Sequence, residues 1–247
     1  FSELYQDSRR WLREGLQDYL APQVYWSLGD KPGDPDFAAL TRDWSAGASG
    51  RSVYIGIGAY KPEVFRRIPE LVDSTRAIGA GGNSFFRYEN ISTALDIGGR
   101  YRYVAMIPPM RWKDPIPPNS PANVQLSDGG NGLFKLEWTA PLPATDGDRA
   151  KSYAVYRSTI RAIDVSDPAS IRAILGGSVT QYLDSVGQSN AARYYYAISA
   201  IDRGNNESLP AVASIFNPEI AALSTRFSYS FKLGHHYPDP AGTTVFI

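Results

Sequence analysis

The stretch DSRRWLREGLQDYLAPQVYWSLGD, residues 7–30, changes its pattern halfway along. Trp11 and Leu12 stand at helical spacing from the apolar residues before them, and Gly15 is placed where a left-handed residue ends a helix. The run from Tyr19 to Trp26 is apolar nearly throughout, which is typical of a strand covered on both faces in a parallel sheet. The stretch therefore predicts a helix followed by a buried strand.

The residues that follow repeat this order twice. Asp36 is the predicted N-cap of a second helix, and the run from Ser52 to Ala59 predicts a second buried strand. A third helix carries an apolar stripe between Ile68 and Ile78, residues 83–88 predict a third strand, and residues 91–95 predict the start of a last helix in this pattern. Alternating helices and strands indicate right-handed crossovers and a parallel sheet.

Three parallel strands with their helices would leave most of a sheet uncovered. We therefore expect residues 1–105 to be the C-terminal part of a (β/α)8 TIM barrel cut before its sixth strand, since a complete barrel takes about 250 residues. A small free-standing three-layer domain is the alternative. The fold class predicted for the chain is multidomain, with this partial barrel joined to an all-β region.

Three segments carry a resemblance to a known family: residues 7–30, the run LTRDWSAGASGRSVYIGIGAYK at 40–61, and the glycine-led GGNSFFRY at 81–88. Together they resemble the closing third of the glycosyl-hydrolase-like family 10 barrels. The resemblance implies a bacterial envelope enzyme that cuts peptidoglycan glycan strands stripped of their peptides. It also implies that the family's main acidic motif, Asp-Asp-Tyr on an earlier strand, lies upstream of this chain.

Active sites of such barrels lie at the C-terminal ends of the strands. Lys61 follows the second strand, and Asp18 is discounted because it stands at the start of a strand, at the opposite end. We interpret Gln23 as a donor or acceptor for a sugar hydroxyl and Trp26 as a surface on which a sugar ring stacks, the alternative being that they pack the barrel mouth. The candidate substrate-binding residues are Gln23, Tyr25, Trp26, Tyr60, Arg87 and Tyr88.

Glycoside cleavage normally requires two carboxyl groups, and this sequence offers no convincing pair. Glu89 stands at a predicted strand end and is the candidate acid or base, while Asp30, Asp34 and Asp36 lie in the loop after the first strand. We therefore expect this chain alone to be catalytically inactive, even if the parent protein is a glycoside hydrolase.

Composition excludes several classes of function. The 25 basic and 25 acidic side chains cancel, so a nucleic-acid partner is not expected, and the apolar runs are too short for a membrane span. Cysteine is absent, and the two histidines, His235 and His236, are adjacent and would point apart, so neither a metal nor a cofactor is predicted. A neutral polysaccharide is the partner that fits.

Five prolines crowd residues 106–120, a sixth follows at Pro121, and together they predict an extended, semi-rigid linker. Short alternating segments follow, and residues 121–217 resemble a fibronectin type III sandwich, of the immunoglobulin-like class, with Trp138 as its core tryptophan. The resemblance gives Tyr194 the tyrosine-corner role, in which its hydroxyl bonds to nearby backbone. Residues 167–175 predict a short helix, opened by an aspartate and a proline, as an insertion in that fold.

The tail, residues 218–247, contains a strand-like segment and the run HHYPDPAGTTVFI. It resembles the opening of the C-terminal sorting modules carried by cargo of the bacterial type IX secretion system. Together with the barrel resemblance, this implies an exported protein that is periplasmic, associated with the outer membrane, or extracellular.

The leading functional hypothesis is a fragment of an exported bacterial glycoside hydrolase-like protein that acts on polysaccharide, such as peptidoglycan glycan. A non-catalytic carbohydrate-binding protein and an adhesion or scaffold protein are the alternatives. Because a partial barrel exposes the edges of a parallel sheet, self-association through residues 1–105 is a further hypothesis.

Overall fold

The computed structural model describes residues 6–91, 97–187 and 193–216. They form a three-stranded parallel sheet with helices, followed by two antiparallel sheets of three and four strands. The predicted sorting module and both histidines lie outside the described residues. No helix within the described ranges is long and apolar enough to cross a membrane.

Local signals set the helix ends. The Asp7 carboxylate accepts a hydrogen bond from the backbone N–H of Arg10 at 2.9 Å, and the Asp36 carboxylate accepts one from Ala39 N–H at 2.7 Å, so each satisfies a donor at a helix start. Gly79 ends its helix in the left-handed region, with φ +81°. The helices of this region are α1 (Ser8–Arg13), α2 (Phe37–Ala46), α3 (Pro62–Phe65), α4 (Ile68–Ile78) and α5 (Tyr88–Ile91).

The parallel sheet has the order β1 (Tyr19–Leu20), β2 (Ser52–Ile57) and β3 (Gly82–Phe85). The predicted first strand is longer than β1, because Pro22 has no N–H to donate to its neighbour. Pairing resumes without a change of register: Leu20 lies opposite Val53, and Gln23 forms an isolated parallel bridge with Gly56. The predicted parallel arrangement of the three strands is confirmed.

Helices cover one face of this sheet. Val53, Ile55 and Ile57 alternate along β2 and are buried with Leu12 of α1, Phe37 of α2 and Leu71 of α4 in one apolar cluster. Side chains alternate between the two faces of a strand, so Tyr54 lies on the opposite face, where its ring meets that of Tyr19 at 5.6 Å between centroids. We call this second side the open face. Tyr19 is 58% exposed there, although parallel sheets are usually covered on both sides.

The third strand is shorter than predicted. It ends at Phe85, and the residues expected to extend it turn instead into the short helix α5, which contains Tyr88 and Glu89. Backbone pairing with β2 also stops there, since Ile57 lies opposite Phe85. The single turn of helix α3 was not predicted.

The antiparallel sheets pack as a sandwich. Phe134, Leu136 and Trp138 on one sheet are buried against Tyr196 and Ile198 on the other, as the predicted alternation of these strands requires. The strands are β4 (Ala122–Gly130), β5 (Leu133–Thr139), β6 (Ser152–Ser158), β7 (Ile171–Gly176), β8 (Gln181–Ser185), β9 (Arg193–Ile201) and β10 (Ala211–Phe216). The three-stranded sheet has the order β4-β5-β8 and the four-stranded sheet the order β10-β9-β6-β7.

The helix predicted at residues 167–175 is wrong. Asp167 caps only a single 3-10 turn, Pro168–Ser170, after which the chain enters β7 and pairs antiparallel with β6. The edge of β6 offers a row of backbone hydrogen bonds to these residues, and the β-branched Ile171 and Ile174 suit a strand. Strand β10 was also not predicted.

The tyrosine-corner role predicted for Tyr194 is wrong as well. Its side chain is 3% exposed, and its hydroxyl has no hydrogen-bond partner among the described residues. Its ring lies 5.5 Å from that of Phe134 between centroids, and the Arg157 guanidinium lies 5.8 Å from its centroid. Tyr194 is therefore held by its ring rather than by its hydroxyl.

Candidate functional site

The candidate site lies at the C-terminal ends of the three parallel strands. Tyr25 and Trp26 follow the path of β1, Tyr60 and Lys61 follow β2, and Phe86 follows β3. Because the strands run in the same direction, residues distant in sequence meet at one edge of the sheet, the edge at which α/β proteins usually bind ligands.

Three rings, those of Tyr25, Tyr60 and Phe86, form what we call the aromatic cluster. The centroid of Tyr25 lies 5.9 Å from that of Tyr60 and 6.0 Å from that of Phe86, and the last two are 5.8 Å apart. Gly58 makes room for it, since a Cβ there would come within 2.9 Å of the Tyr25 side chain. Tyr60 is 47% and Phe86 is 51% exposed, so the cluster offers apolar ring surface to a ligand.

Phe86 was missed by the sequence prediction. The third strand was predicted to run on to Tyr88, so Arg87 and Tyr88 at its C-terminal end were named as candidate substrate-binding residues. The strand stops earlier, and the chain passes through a cis peptide bond between Phe86 and Arg87 into α5. The available signal was alternation, which places Phe86 on the same face as Ser84, opposite the partly buried Phe85.

Lys61 joins the two strand ends next to the aromatic cluster. Its Nζ donates a hydrogen bond to the carbonyl oxygen of Tyr25 at 3.0 Å, and it lies 5.9 Å from the ring centroid of Trp26 and 6.0 Å from that of Tyr60. Burial, followed by the proximity of Tyr60, raises the pKa of the Tyr25 phenol above its ordinary value. This hydroxyl therefore stays protonated at neutral pH and can donate a hydrogen bond to a ligand.

A cavity of about 240 Å³ lies beside the aromatic cluster, between the loop after β1 and helix α3. The Ser27 hydroxyl donates a hydrogen bond to the Asp30 carboxylate, and Arg67 Nη1 donates another at 2.7 Å. These contacts, that of Ser27 first, lower the pKa of Asp30, so Asp30 is an acceptor and not an acid at neutral pH. The cavity is lined by Tyr25, Trp26, Ser27, Gly29, Asp30, Lys31, Asp34, Lys61, Glu63 and Val64.

The structure thus gathers part of the predicted set. Tyr25 and Trp26 line the cavity and Tyr60 belongs to the aromatic cluster, whereas Gln23, Arg87 and Tyr88 do not line the cavity. Gln23 is exposed, and Tyr88 is 69% exposed on α5. Whether any of these residues binds sugar stays a prediction.

The carboxylate predicted as a catalytic candidate, Glu89, pairs with Arg87, and both side chains are mostly exposed. A second pair at this edge joins Glu63 and Lys31 at 3.9 Å. Protein cations therefore already contact these two acids.

Within the described residues, three carboxylates could approach a metal ion: those of Asp114, Asp146 and Asp148, whose oxygens lie within 4.8 Å of one another. They lie away from the candidate site, around the proline-rich segment. Asp148 pairs with Arg203 at 2.8 Å, and Asp146 accepts a hydrogen bond from the Asp148 N–H at 2.9 Å. Protein groups thus satisfy part of this cluster.

Comparison with known proteins shows sequence similarity to glycosyl hydrolases. The chain is 29% identical over 232 residues to the glycosyl hydrolase YngK of Bacillus subtilis, a match that covers 84% of this chain and 43% of that protein. It is 38% identical over 63 residues to the glycosyl hydrolase DigH of Escherichia coli K12, which covers 25% of this chain and 14% of that protein. The chain thus spans less than half the length of these relatives. No protein-family profile matches it.

Solved structures with similarity to the chain include fibronectin type III domains. The fn3 domain of human collagen α-1(XX) matches with a TM-score of 0.32 and 17% identity, over 41% of this chain and 86% of that chain. A β-1,2-glucanase from Parabacteroides distasonis matches with a TM-score of 0.30 and 22% identity, over 40% of this chain and 13% of that chain.

Proposed function

We propose that the chain is part of a glycoside hydrolase-like protein that acts on polysaccharide, and that its parallel sheet contributes a sugar-binding edge. The observation that carries the proposal is the aromatic cluster: Tyr25, Tyr60 and Phe86 meet at the C-terminal edge, beside a cavity that contains Trp26. Aromatic faces suit the apolar faces of sugar rings, while carboxylates and hydroxyls in the cavity suit sugar hydroxyl groups. The similarity to YngK and DigH supports the same class of substrate.

The finer proposal is that the three strands belong to a (β/α)8 barrel of the family 10 type. The open face supports this idea, since closing the sheet into a barrel would cover Tyr19 and Tyr54 while leaving the aromatic cluster at the mouth. Peptide-free peptidoglycan glycan is the proposed substrate, and export to the envelope or the exterior is the proposed location.

A second candidate function, sugar binding without cleavage, has its own support. Of the carboxylates at the edge, Asp30 is held by Ser27 and Arg67, and Glu89 is held by Arg87. A general acid needs a proton at working pH, and the lowered pKa of Asp30 opposes this. We therefore expect no release of reducing ends when the 247-residue chain is incubated with glycan strands. Measurable hydrolysis by the purified chain would refute this expectation.

Binding can be tested by titrating the chain with peptide-free peptidoglycan glycan fragments, chitin oligosaccharides and maltohexaose, followed by NMR. We expect Trp26→Ala and Tyr60→Ala to weaken the binding of the preferred sugar by about tenfold each, because each removes a stacking surface worth roughly 1.4 kcal/mol.

Tyr19→Ala is the matched control. It removes an exposed ring from the open face, but at the N-terminal end of β1, so affinity should be unchanged. Equal losses in all three variants would place the sugar elsewhere on the sheet, and the absence of binding by any of the sugars would overturn the proposal.

A further inference from the structure

The proline-rich segment contacts the parallel-sheet region through two side chains, those of Asp18 and Arg51. Asp18, just before β1, accepts a hydrogen bond from Trp112 Nε1 at 3.2 Å and forms an ion pair with Lys113 Nζ at 2.6 Å. These two contacts, with that of Lys113 the larger, lower the pKa of the Asp18 carboxyl. The Arg51 guanidinium, just before β2, lies 4.8 Å from the Trp112 ring centroid. The residues just before β1 and β2 therefore both contact Trp112.

The same segment is bonded to the sandwich on its other side. The backbone N–H of Met110 donates to the carbonyl oxygen of Gly204 at 2.8 Å, and Asn206 Nδ2 donates to the carbonyl oxygen of Asp114, also at 2.8 Å. Asn206 is itself fixed, because it is 4% exposed and its side chain donates to the buried Asp202 carboxylate at 3.0 Å. The anchoring loop, which follows β9, is therefore rigid.

Between these two sets of contacts the segment has little freedom. Residues 110–114 form a turn in which the N–H groups of Lys113 and Asp114 both donate to the carbonyl oxygen of Met110, at 2.9 and 3.2 Å. Pro109 and Pro115 flank this turn and restrict the backbone on either side. Within the extended linker predicted from the prolines, residues 110–114 form a folded turn with contacts on both sides.

We infer that residues 110–114 are a lock that joins the sandwich rigidly to the N-terminal edge of the parallel sheet. Asp18 and Arg51 mark that edge, whereas the aromatic cluster lies at the opposite, C-terminal edge. The sandwich is thereby kept away from the candidate site. The sandwich therefore has a fixed position on the side of the sheet away from the proposed sugar site, and it does not close over that site.

Asp18→Ala tests the lock, because it removes the acceptor for both Trp112 and Lys113 and leaves the segment's own sequence unchanged. Because residues 110–114 have the same sequence in the variant and in the unmodified chain, trypsin cleavage after Arg111 and Lys113 can be compared directly between them. Cleavage of a folded chain follows the population of its open form, so we expect cleavage after Arg111 to become about tenfold faster. Asp43→Ala, which removes an exposed ion pair with Arg9 on the same region, should leave the rate unchanged.

An equal cleavage rate in Asp18→Ala and the unmodified chain would overturn the inference. A second measurement avoids the risk that the variant unfolds. In 15N relaxation of the unmodified 247-residue chain, amides of β2 and of β9 should report one rotational correlation time. Two distinct times would show independent tumbling and would equally overturn the lock. Neither result depends on sugar binding, so the lock and the proposed function can fail separately.

Discussion

At the scale of single residues, a buried carboxylate shows how the sandwich accommodates charge. Asp184 is 6% exposed and accepts hydrogen bonds from Arg157 Nη1 and from the Tyr196 hydroxyl, both at 2.7 Å. Burying an ionised carboxylate costs on the order of several kcal/mol unless such partners replace the water that solvated it. Tyr196, which is fully buried, therefore acts both as a core ring and as a partner for this charge.

This arrangement predicts how stability depends on pH. Burial, and then the hydrogen bond to Asp184, raise the pKa of the Tyr196 phenol above its ordinary value of 10.0. The folded chain therefore keeps this proton after the unfolded chain has lost it. The stabilisation is complete below about pH 10 and declines as the pH rises towards the folded pKa, by about 1.4 kcal/mol per pH unit.

Urea unfolding at pH 8 and at pH 11 checks this prediction. Tyr196→Phe should be less stable than the unmodified chain at pH 8, by roughly 1–3 kcal/mol, since Asp184 loses a partner. The difference should shrink at pH 11, where the unmodified chain has lost part of its advantage. Tyr88→Phe, which alters a side chain that is 69% exposed, is the control. A difference that is constant across this range would contradict the assigned cause.

At the scale of elements, the end of α4 depends on one left-handed residue. Gly79 has φ +81°, and a Cβ built there would contact nothing within 4 Å, so only backbone conformation opposes a side chain. Gly79→Ala should lower the free energy of unfolding by about 1–2 kcal/mol. Gly176→Ala is the matched control, because its Cβ also meets nothing but its φ is not positive. Thermal unfolding of both variants checks this, and equal effects would contradict it.

Elements governed by local signals were predictable from the sequence. The caps at Asp36 and Gly79 and the apolar run of β2 lead directly to α2, α4 and the parallel sheet. Elements defined by a partner were not predictable. The segment at Ile171 has a helical opening in Asp167, and only pairing with β6 makes it a strand.

The same distinction, between features set by local sequence signals and features set by distant partners, applies to the candidate site. Tyr25, Trp26 and Tyr60 could be chosen because the strand ends before them are marked by long apolar runs. Alternation indicates the face on which Phe86 lies, but the end of β3 before it and the cavity around Asp30 could not be found, since the cavity depends on how the loop after β1 folds against Arg67. Such contacts join residues far apart in sequence, which a local pattern does not contain.

At the scale of the whole molecule, the open face and the unpaired sides of β1 and β3 lead to the last prediction. The described sheet has three strands, so β1 and β3 are its edge strands. Their outer backbone N–H and C=O groups can hydrogen-bond to a strand of a second copy of the chain. We expect the 247-residue chain to self-associate through residues 1–105 as its concentration rises, which sedimentation velocity measures directly.

Ser84→Lys places a charge at an exposed position of β3 and should weaken association, since edge lysines oppose strand pairing. Ser127→Lys, on the exposed surface of β4, should not weaken it. A monomer at every concentration would argue against pairing through these edges, and equal weakening by both lysines would point to the overall charge instead.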